Sequence, residues 1–274
     1  MTHTAPLTLT VHGARGSMCV SGVQYRRFGG NTTSMYVPLG PNEHFVIDAG
    51  TGLRTLERSL GPGPHHFTML FTHYHWDHVQ GLPVFAPLHD PANSFSFIGP
   101  PSGNRDIEAT LCAVLCEPWF PVSLAAVGSD TRYVDVAPRL EVGPVVVRSI
   151  PLRHPQGVTA YRLDGPVRSI TVATDHEAGD ESADAALASL ASGTHVLMHD
   201  GQYTDAEYRT ARKGWGHSTP SGAVDAALAC GAGRLVLTSH DPDHDDAAID
   251  AIVTTARARF PLTTGAFEGM TLAL

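Results

Sequence analysis

Short apolar runs, punctuated by glycine, proline, asparagine and aspartate, recur from one end of the chain to the other. Residues 7–11, 35–39 and 44–48 read as strands, and the last runs into Ala49-Gly50-Thr51-Gly52 ahead of a helical stretch at 53–60. Residues 67–71 form another strand-like run, 79–85 a short helix perturbed by Pro83, 94–98 a strand, and 107–116 a helix closed by Pro118. Strands follow at 131–136, 142–149, 158–163 and 169–174, then an alanine-rich helix at 182–192. The remainder alternates: strand 195–199, helix 219–230, strand 234–238, helix 245–260 and strand 270–274. Two sheets with outer helices, an α/β arrangement, fit this order. No linker or repeat interrupts residues 1–274, so a single domain is expected.

Composition narrows the functions open to such a fold. Hydrophobic residues make up 42% of the chain, enough for a sizeable core, while 27 acidic against 18 basic residues give a net charge of -9. That balance argues against broad electrostatic binding to nucleic acid. Residues 1–10 lack a basic segment followed by an apolar core, and no apolar run reaches the ~20 residues of a membrane span, so a cytoplasmic protein is expected. Cys19, Cys112, Cys116 and Cys230 are scattered without a CxxC pair and read as buried free thiols.

The densest chemistry lies in Thr72-His73-Tyr74-His75-Trp76-Asp77-His78, directly after the strand at 67–71. An extended chain points alternate side chains to one face, which brings His73, His75 and Asp77 together and sends His78 elsewhere. Imidazole and carboxylate are ligands for zinc and its neighbours, and a group split between two directions suits two ions better than one. Further ligands are then needed from strand ends. His154, Asp175 and His240 each follow a strand-like run, and an aspartate at such an edge can bridge two cations.

The set HxHxDH, then His, Asp and His, spread through a mixed α/β chain of this length, resembles the metallo-β-lactamase fold superfamily. That resemblance implies an αββα sandwich of two mixed sheets flanked by helices. It implies His73, His75 and His154 on one metal, Asp77, His78 and His240 on the other, and Asp175 bridging. Asp77 thereby belongs to the catalytic centre as well as to the ligand set. Two divalent ions follow, with zinc favoured over manganese or iron because His75 stands where di-iron relatives typically carry glutamate. A hydroxide held between the ions is the implied nucleophile.

Two later segments, Val196-Leu197-Met198-His199-Asp200-Gly201 and Trp215-Gly216-His217-Ser218-Thr219-Pro220, look like the phosphodiesterase branch that includes the transfer-RNA 3′-processing endonuclease RNase Z. In that branch the GHST histidine is a general acid paired with an acidic residue, positions that match His217 and Asp200. Gly13-Ala14-Arg15-Gly16-Ser17 and Phe28-Gly29-Gly30-Asn31-Thr32 resemble the openings of bacterial members acting on small phosphodiesters. Arg15, Ser17, Asn31 and Thr32 are therefore candidate phosphate contacts, with plain turn chemistry the competing reading. Asp48 is placed to orient a ligand histidine. Trp119 and Phe120 read as core filling rather than as a cap.

The chain shows no long Gly/Pro-rich arm for gripping RNA, which favours a smaller substrate than tRNA. A dinuclear-metal phosphodiesterase acting on a cyclic nucleotide, a cyclic phosphate or a short nucleic acid is expected, with no membrane partner. The alternative is a carboxyl-ester, thioester or lactone hydrolase using the same metals. A homodimer is expected from the family likeness alone.

Overall fold

A computed structural model describes residues 7–274; of the leader reading at residues 1–10, positions 1–6 lie outside them. The first sheet contains β1 (Thr8–Gly13), β2 (Ser34–Pro38), β3 (Glu43–Ile47), β4 (His66–Leu70), β5 (Ser94–Gly99) and β6 (Asp130–Asp135). The second contains β7 (Arg139–Val142), β8 (Val145–Leu152), β9 (Val158–Asp164), β10 (Ser169–Ala173), β11 (Val196–Asp200), β12 (Leu235–Thr238) and β13 (Thr263–Gly265). The last strand, β14 (Thr271–Ala273), returns to the first sheet beside β1 and gives it, like the second, seven strands. The run expected as one strand at 142–149 is in fact a hairpin, because Gly143 (φ 56°) turns the chain between Val142 and Val145.

Both sheets are mixed. β3 to β6 run parallel in one, and β10 to β13 in the other. The parallel strands explain the uninterrupted apolar runs in the sequence: β10, β11 and β12 are buried at every position because both faces are covered. One face meets the other sheet, where Val11, Phe45, Leu70, Val172, Met198 and Val236 pack at zero exposure. The opposite faces carry helices.

Those helices are α1 (Leu53–Glu57), α2 (Trp76–Val79), α3 (Ile107–Val114), α4 (Glu181–Leu190), α5 (Asp205–Glu207), α6 (Pro220–Cys230) and α7 (Asp246–Arg257). In α7, Ile249, Ile252, Val253 and Ala256 recur at helical spacing and pack in a cluster with Leu235 and Leu237 of β12. Burial of each large aliphatic side chain there contributes ~1.5–3 kcal/mol. The layers are helix, sheet, sheet, helix, the αββα sandwich expected from the sequence. No helix among the described residues is long and apolar enough to cross a membrane.

The outer face of the first sheet buries an imidazole pair. His44 of β3 pairs through Nδ1 with the Tyr36 hydroxyl (2.9 Å) and through Nε2 with His65 Nδ1 (2.9 Å). Burial, with the neighbouring His65 and His66, lowers His44 from 6.5 to about 4, and burial likewise lowers His199 to about 4. The unfolded chain takes up protons near pH 6.5 that the folded chain refuses until about pH 4. Stability is therefore full above pH 6.5 and falls as the pH drops toward 4, by up to about 3 kcal/mol for each ring. Urea midpoints measured at neutral pH and in this acid window test it; an unchanged midpoint contradicts it.

Candidate metal centre and active site

The chemistry collects where parallel strands end, the edge at which open α/β sheets commonly bind ligands. Asp48 follows β3, Asp175 follows β10, and Ser239 and His240 follow β12. Asp48 (φ 58°), Asp175 (φ 53°) and Ser239 (φ 57°) all adopt left-handed backbone, which breaks the extended chain sharply at each strand end. Asp48 accepts from the Thr72 amide (2.8 Å) and hydroxyl (2.8 Å) and pairs with His78 Nδ1 (2.8 Å). The His78 ring is thereby fixed with Nε2 free to face Asp175 Oδ2 at 3.1 Å.

The alternation expected through Asp77 stops at His75, because Trp76–Val79 is a helical turn with His75 as its N-cap. His73 and His75 consequently meet His154 from the second sheet, not Asp77. Ligand atoms lie within 4.8 Å of one another in three overlapping groups: His73, His75 and His154; His73, His78 and Asp175; and His154, Asp175 and His217. Asp77 Oδ2 lies 3.4 Å from His78 Nε2 and is held by the Ser17 amide at 2.7 Å. His240 is not gathered: its Nε2 donates to the Ala266 carbonyl (2.9 Å), which leaves Nδ1 as the ring's lone-pair nitrogen.

This donor set fits a divalent cation. His73 Nε2 is buried without any hydrogen-bond partner, a costly state that a metal would relieve. Burial, reinforced for His73 by the charge of His78, holds His73 well below 6.5; burial also takes His154 to about 4, outweighing the pull of Asp175. Both rings are thus neutral and able to ligate. The carbonyl of Gly216 accepts from His154 Nδ1 at 2.7 Å, which aims Nε2 at His75 Nδ1, 2.9 Å away.

His217 precedes α6, whose start is set by Thr219 as N-cap and Pro220 as first helical residue. Its Nδ1 pairs with Asp200 Oδ2 at 2.6 Å, and Asp200 Oδ1 accepts from the amides of Gln202 (3.0 Å) and Ser218 (2.9 Å). Burial opposes a cationic ring, but the carboxylates of Asp200, Asp175 and Asp77 outweigh it and raise His217 to about 9. The charged form of the ring is therefore held at the edge of the ligand cluster.

A further carboxylate organises this edge. Glu177, two residues beyond Asp175, accepts from the Gly214 amide (2.7 Å), the Gly216 amide (3.0 Å) and the Tyr208 hydroxyl (2.8 Å). Gly216 (φ 91°) has no room for a side chain: a Cβ would stand 2.2 Å from Pro155 Cδ and 2.3 Å from His154 Nδ1. The sequence reading missed Glu177, and only its place after a strand-end aspartate signalled it. Gln156, which pairs with His75 Nε2 (2.9 Å), and Gln202, which donates to Ser17 Oγ (3.1 Å), carried no signal.

The four candidate phosphate contacts divide. Arg15 is 1% exposed and its guanidinium donates to the carbonyls of Gly29 (2.8 Å), Asp241 (3.0 Å) and His244 (2.6 Å), so its charge is committed to the fold. Buried Thr32 exchanges hydrogen bonds with Thr51 of the segment that follows β3 (2.9 Å each). The backbone carbonyl of Asn31 receives the amides of Ala14 and Arg15, which ties the two glycine-rich segments together. Ser17 alone stands exposed beside Asp77.

A cleft of about 410 Å³ opens beside His73 and His75, walled by Tyr74, Pro101, Val114 and Val158. Trp119, expected in the core, is 76% exposed, and neither it nor Phe120 lines this cleft. Of the four thiols only Cys230 is buried; Cys19 is exposed, and Cys112 and Cys116 are intermediate.

Residues 43–240 match the family model described as the beta-lactamase superfamily domain. A ribonuclease Z from Exiguobacterium sp. is 24% identical over 245 residues, covering 72% of this chain and 79% of its own. Among solved structures, the metallo-beta-lactamase fold protein YhfI from Bacillus subtilis superposes with a TM-score of 0.74 at 16% identity, over 98% of this chain and 99% of the other. A diphosphatase from the PhnP family gives 0.71 at 19% identity over 98% of both chains. Sequence model, layer order and strand-end histidines agree, and the chain belongs to the beta-lactamase superfamily and has the metallo-β-lactamase fold.

Proposed function

We propose that this chain is a dinuclear-metal phosphodiesterase. The observation that carries the reading is the His217–Asp200 pair, bonded at 2.6 Å, with His217 in one 4.8 Å group with His154 and Asp175. The alkoxide that departs from a phosphodiester needs a proton, and His217 is held ready to supply it; an alkoxide leaving an ester or lactone needs one too, so the pair marks a proton-assisted departure and the relatives favour the phosphodiester. The relatives named ribonuclease Z and diphosphatase support the same direction.

His73, His75 and His154 would hold one ion and His78 and Asp77 the other, with Asp175 contributing to both; His240, which is not gathered with them here, would complete the second set. Imidazole and carboxylate donors suit zinc, with manganese or iron accommodated. Divalent ions so held supply Lewis acidity and activate water at neutral pH. The chain's own groups do the rest. Asp48 and the Gly216 carbonyl fix the rings of His78 and His154, and Asp200 fixes Nδ1 of His217, so that Nε2 delivers a proton to the leaving oxygen.

Metal-loaded protein is expected to hydrolyse bis(p-nitrophenyl) phosphate, with activity lost on chelation and restored by added zinc or manganese. Turnover of lactones or thioesters with none of phosphodiesters would reverse the assignment.

A further inference from the structure

We propose that Trp215, Arg212 and Lys213 form a docking shelf for the base of an unpaired nucleotide, on the leaving-oxygen side of the scissile phosphate. This rests on the phosphodiesterase reading above and adds a substrate class to it.

Trp215 is 54% exposed, yet it is covalently bound to Gly216, whose missing Cβ would stand 2.3 Å from the ring of His154. Left-handed backbone at Gly214 (φ 86°) and Gly216 (φ 91°) brackets it. The backbone that carries the indole is therefore packed against a ligand histidine. Arg212 lies over it, 4.3 Å from the ring centroid, and also over Tyr203 at 5.6 Å. Tyr203 in turn meets the His217 ring edge-on at 5.6 Å, and His217 meets His154 at 5.1 Å. A continuous line of rings and one guanidinium joins the ligand histidines to an exposed aromatic face, and it passes through the proton donor.

Positive charge is concentrated in the same segment. Lys213 is the only lysine in a chain of net charge -9, and Arg209 and Arg212 lie within four residues of it. None of the three makes an ion pair with a described residue, which leaves their charges available to a ligand. The shelf is rigid at its base: Glu177 clamps the amides of Gly214 and Gly216 and the Tyr208 hydroxyl, and residues Tyr208–Arg212 form a π-helical turn, a feature frequent at functional sites. A flat π face flanked by unpaired cations matches a base joined to phosphate. Paired strands hide the faces of their bases, so the occupant is a mononucleotide or an unpaired stretch.

The test compares a short single-stranded oligonucleotide with an abasic oligomer of the same backbone, and a cyclic nucleotide with the matching cyclic ribose phosphate, on the metal-loaded protein. Wild type is expected to prefer the base-bearing member in kcat/KM, and Trp215→Ala to shrink that preference at least ~5-fold, the lower end of aromatic–base stacking. Whichever pair shows the preference identifies the source of the base. In a Trp76→Phe/Trp119→Phe background, where Trp215 is the only indole, a phosphorothioate oligonucleotide is expected to quench its fluorescence. Equal turnover of base-bearing and abasic substrates by wild type overturns the shelf while leaving the phosphodiesterase reading intact. Without turnover of any phosphodiester that reading fails, and quenching alone then decides the shelf. A Trp215→Ala variant that alters oligomeric state but not base preference assigns the indole to contact between copies, and the shelf is wrong.

Discussion

Asp175→Asn is expected to lower kcat/KM for phosphodiesters by more than ~100-fold, beyond the 10–100-fold that loss of an outer partner of a metal ligand typically costs. Asp175 is common to two of the three ligand groups; its Oδ2 lies 3.1 Å from His78 Nε2 and 3.7 Å from His73 Nε2, and Ser239 Oγ holds its Oδ1 at 2.9 Å. Asparagine keeps the shape and tolerates the left-handed backbone (φ 53°), so a folding failure is not built into the substitution. It removes the anion that the ions would share. Metal content by elemental analysis should fall together with activity, while circular dichroism stays native. Activity within tenfold of wild type, at full metal content, would remove Asp175 from the centre.

The second large effect depends on the leaving group. His217→Ala is expected to cost ~10²–10⁴-fold in kcat on substrates that release an alkoxide, such as a dinucleotide or a cyclic nucleotide, because the proton that the ring would deliver is lost. On p-nitrophenyl esters the loss should be much smaller, since that phenolate departs without one. Geometry alone also allows His217 to ligate, for a ring nitrogen falls in one 4.8 Å group with His154 and Asp175. The two roles separate cleanly: an acid leaves metal content unchanged on substitution and shows leaving-group dependence, whereas a ligand lowers metal content and affects both substrates equally.

Much of this was legible from the chain. The parallel strands are apolar at nearly every position because both faces are covered, and so β10, β11 and β12 stand out in the sequence. The histidines and aspartates that follow them inherit their placement from the strand ends. Geometry at shorter range was less visible. His75 and Asp77 were expected on one face, but a helical turn beginning at Trp76 sends them to different partners, and period alone does not reveal where an extended chain starts to coil. Arg15 was a candidate phosphate contact because its segment resembles the openings of relatives acting on small phosphodiesters; only the folded chain shows three carbonyls around its guanidinium. Glu177 acts through backbone amides, which every residue possesses, so nothing in the side chains of Gly214 or Gly216 announces it.

The left-handed turns at Asp48, Asp175 and Ser239 bear on how this protein can be engineered. Each is a place where a side chain is kept in a conformation that glycine would occupy at lower cost, worth of order 1 kcal/mol or more per site. A campaign selecting only for heat resistance would be drawn to these positions. Success there would erase the partner of His78, the carboxylate between the sheets and the hydroxyl that steadies it. Selections for thermostability on this scaffold therefore need a simultaneous demand for metal retention, or the most stable survivors will be those that have lost the centre.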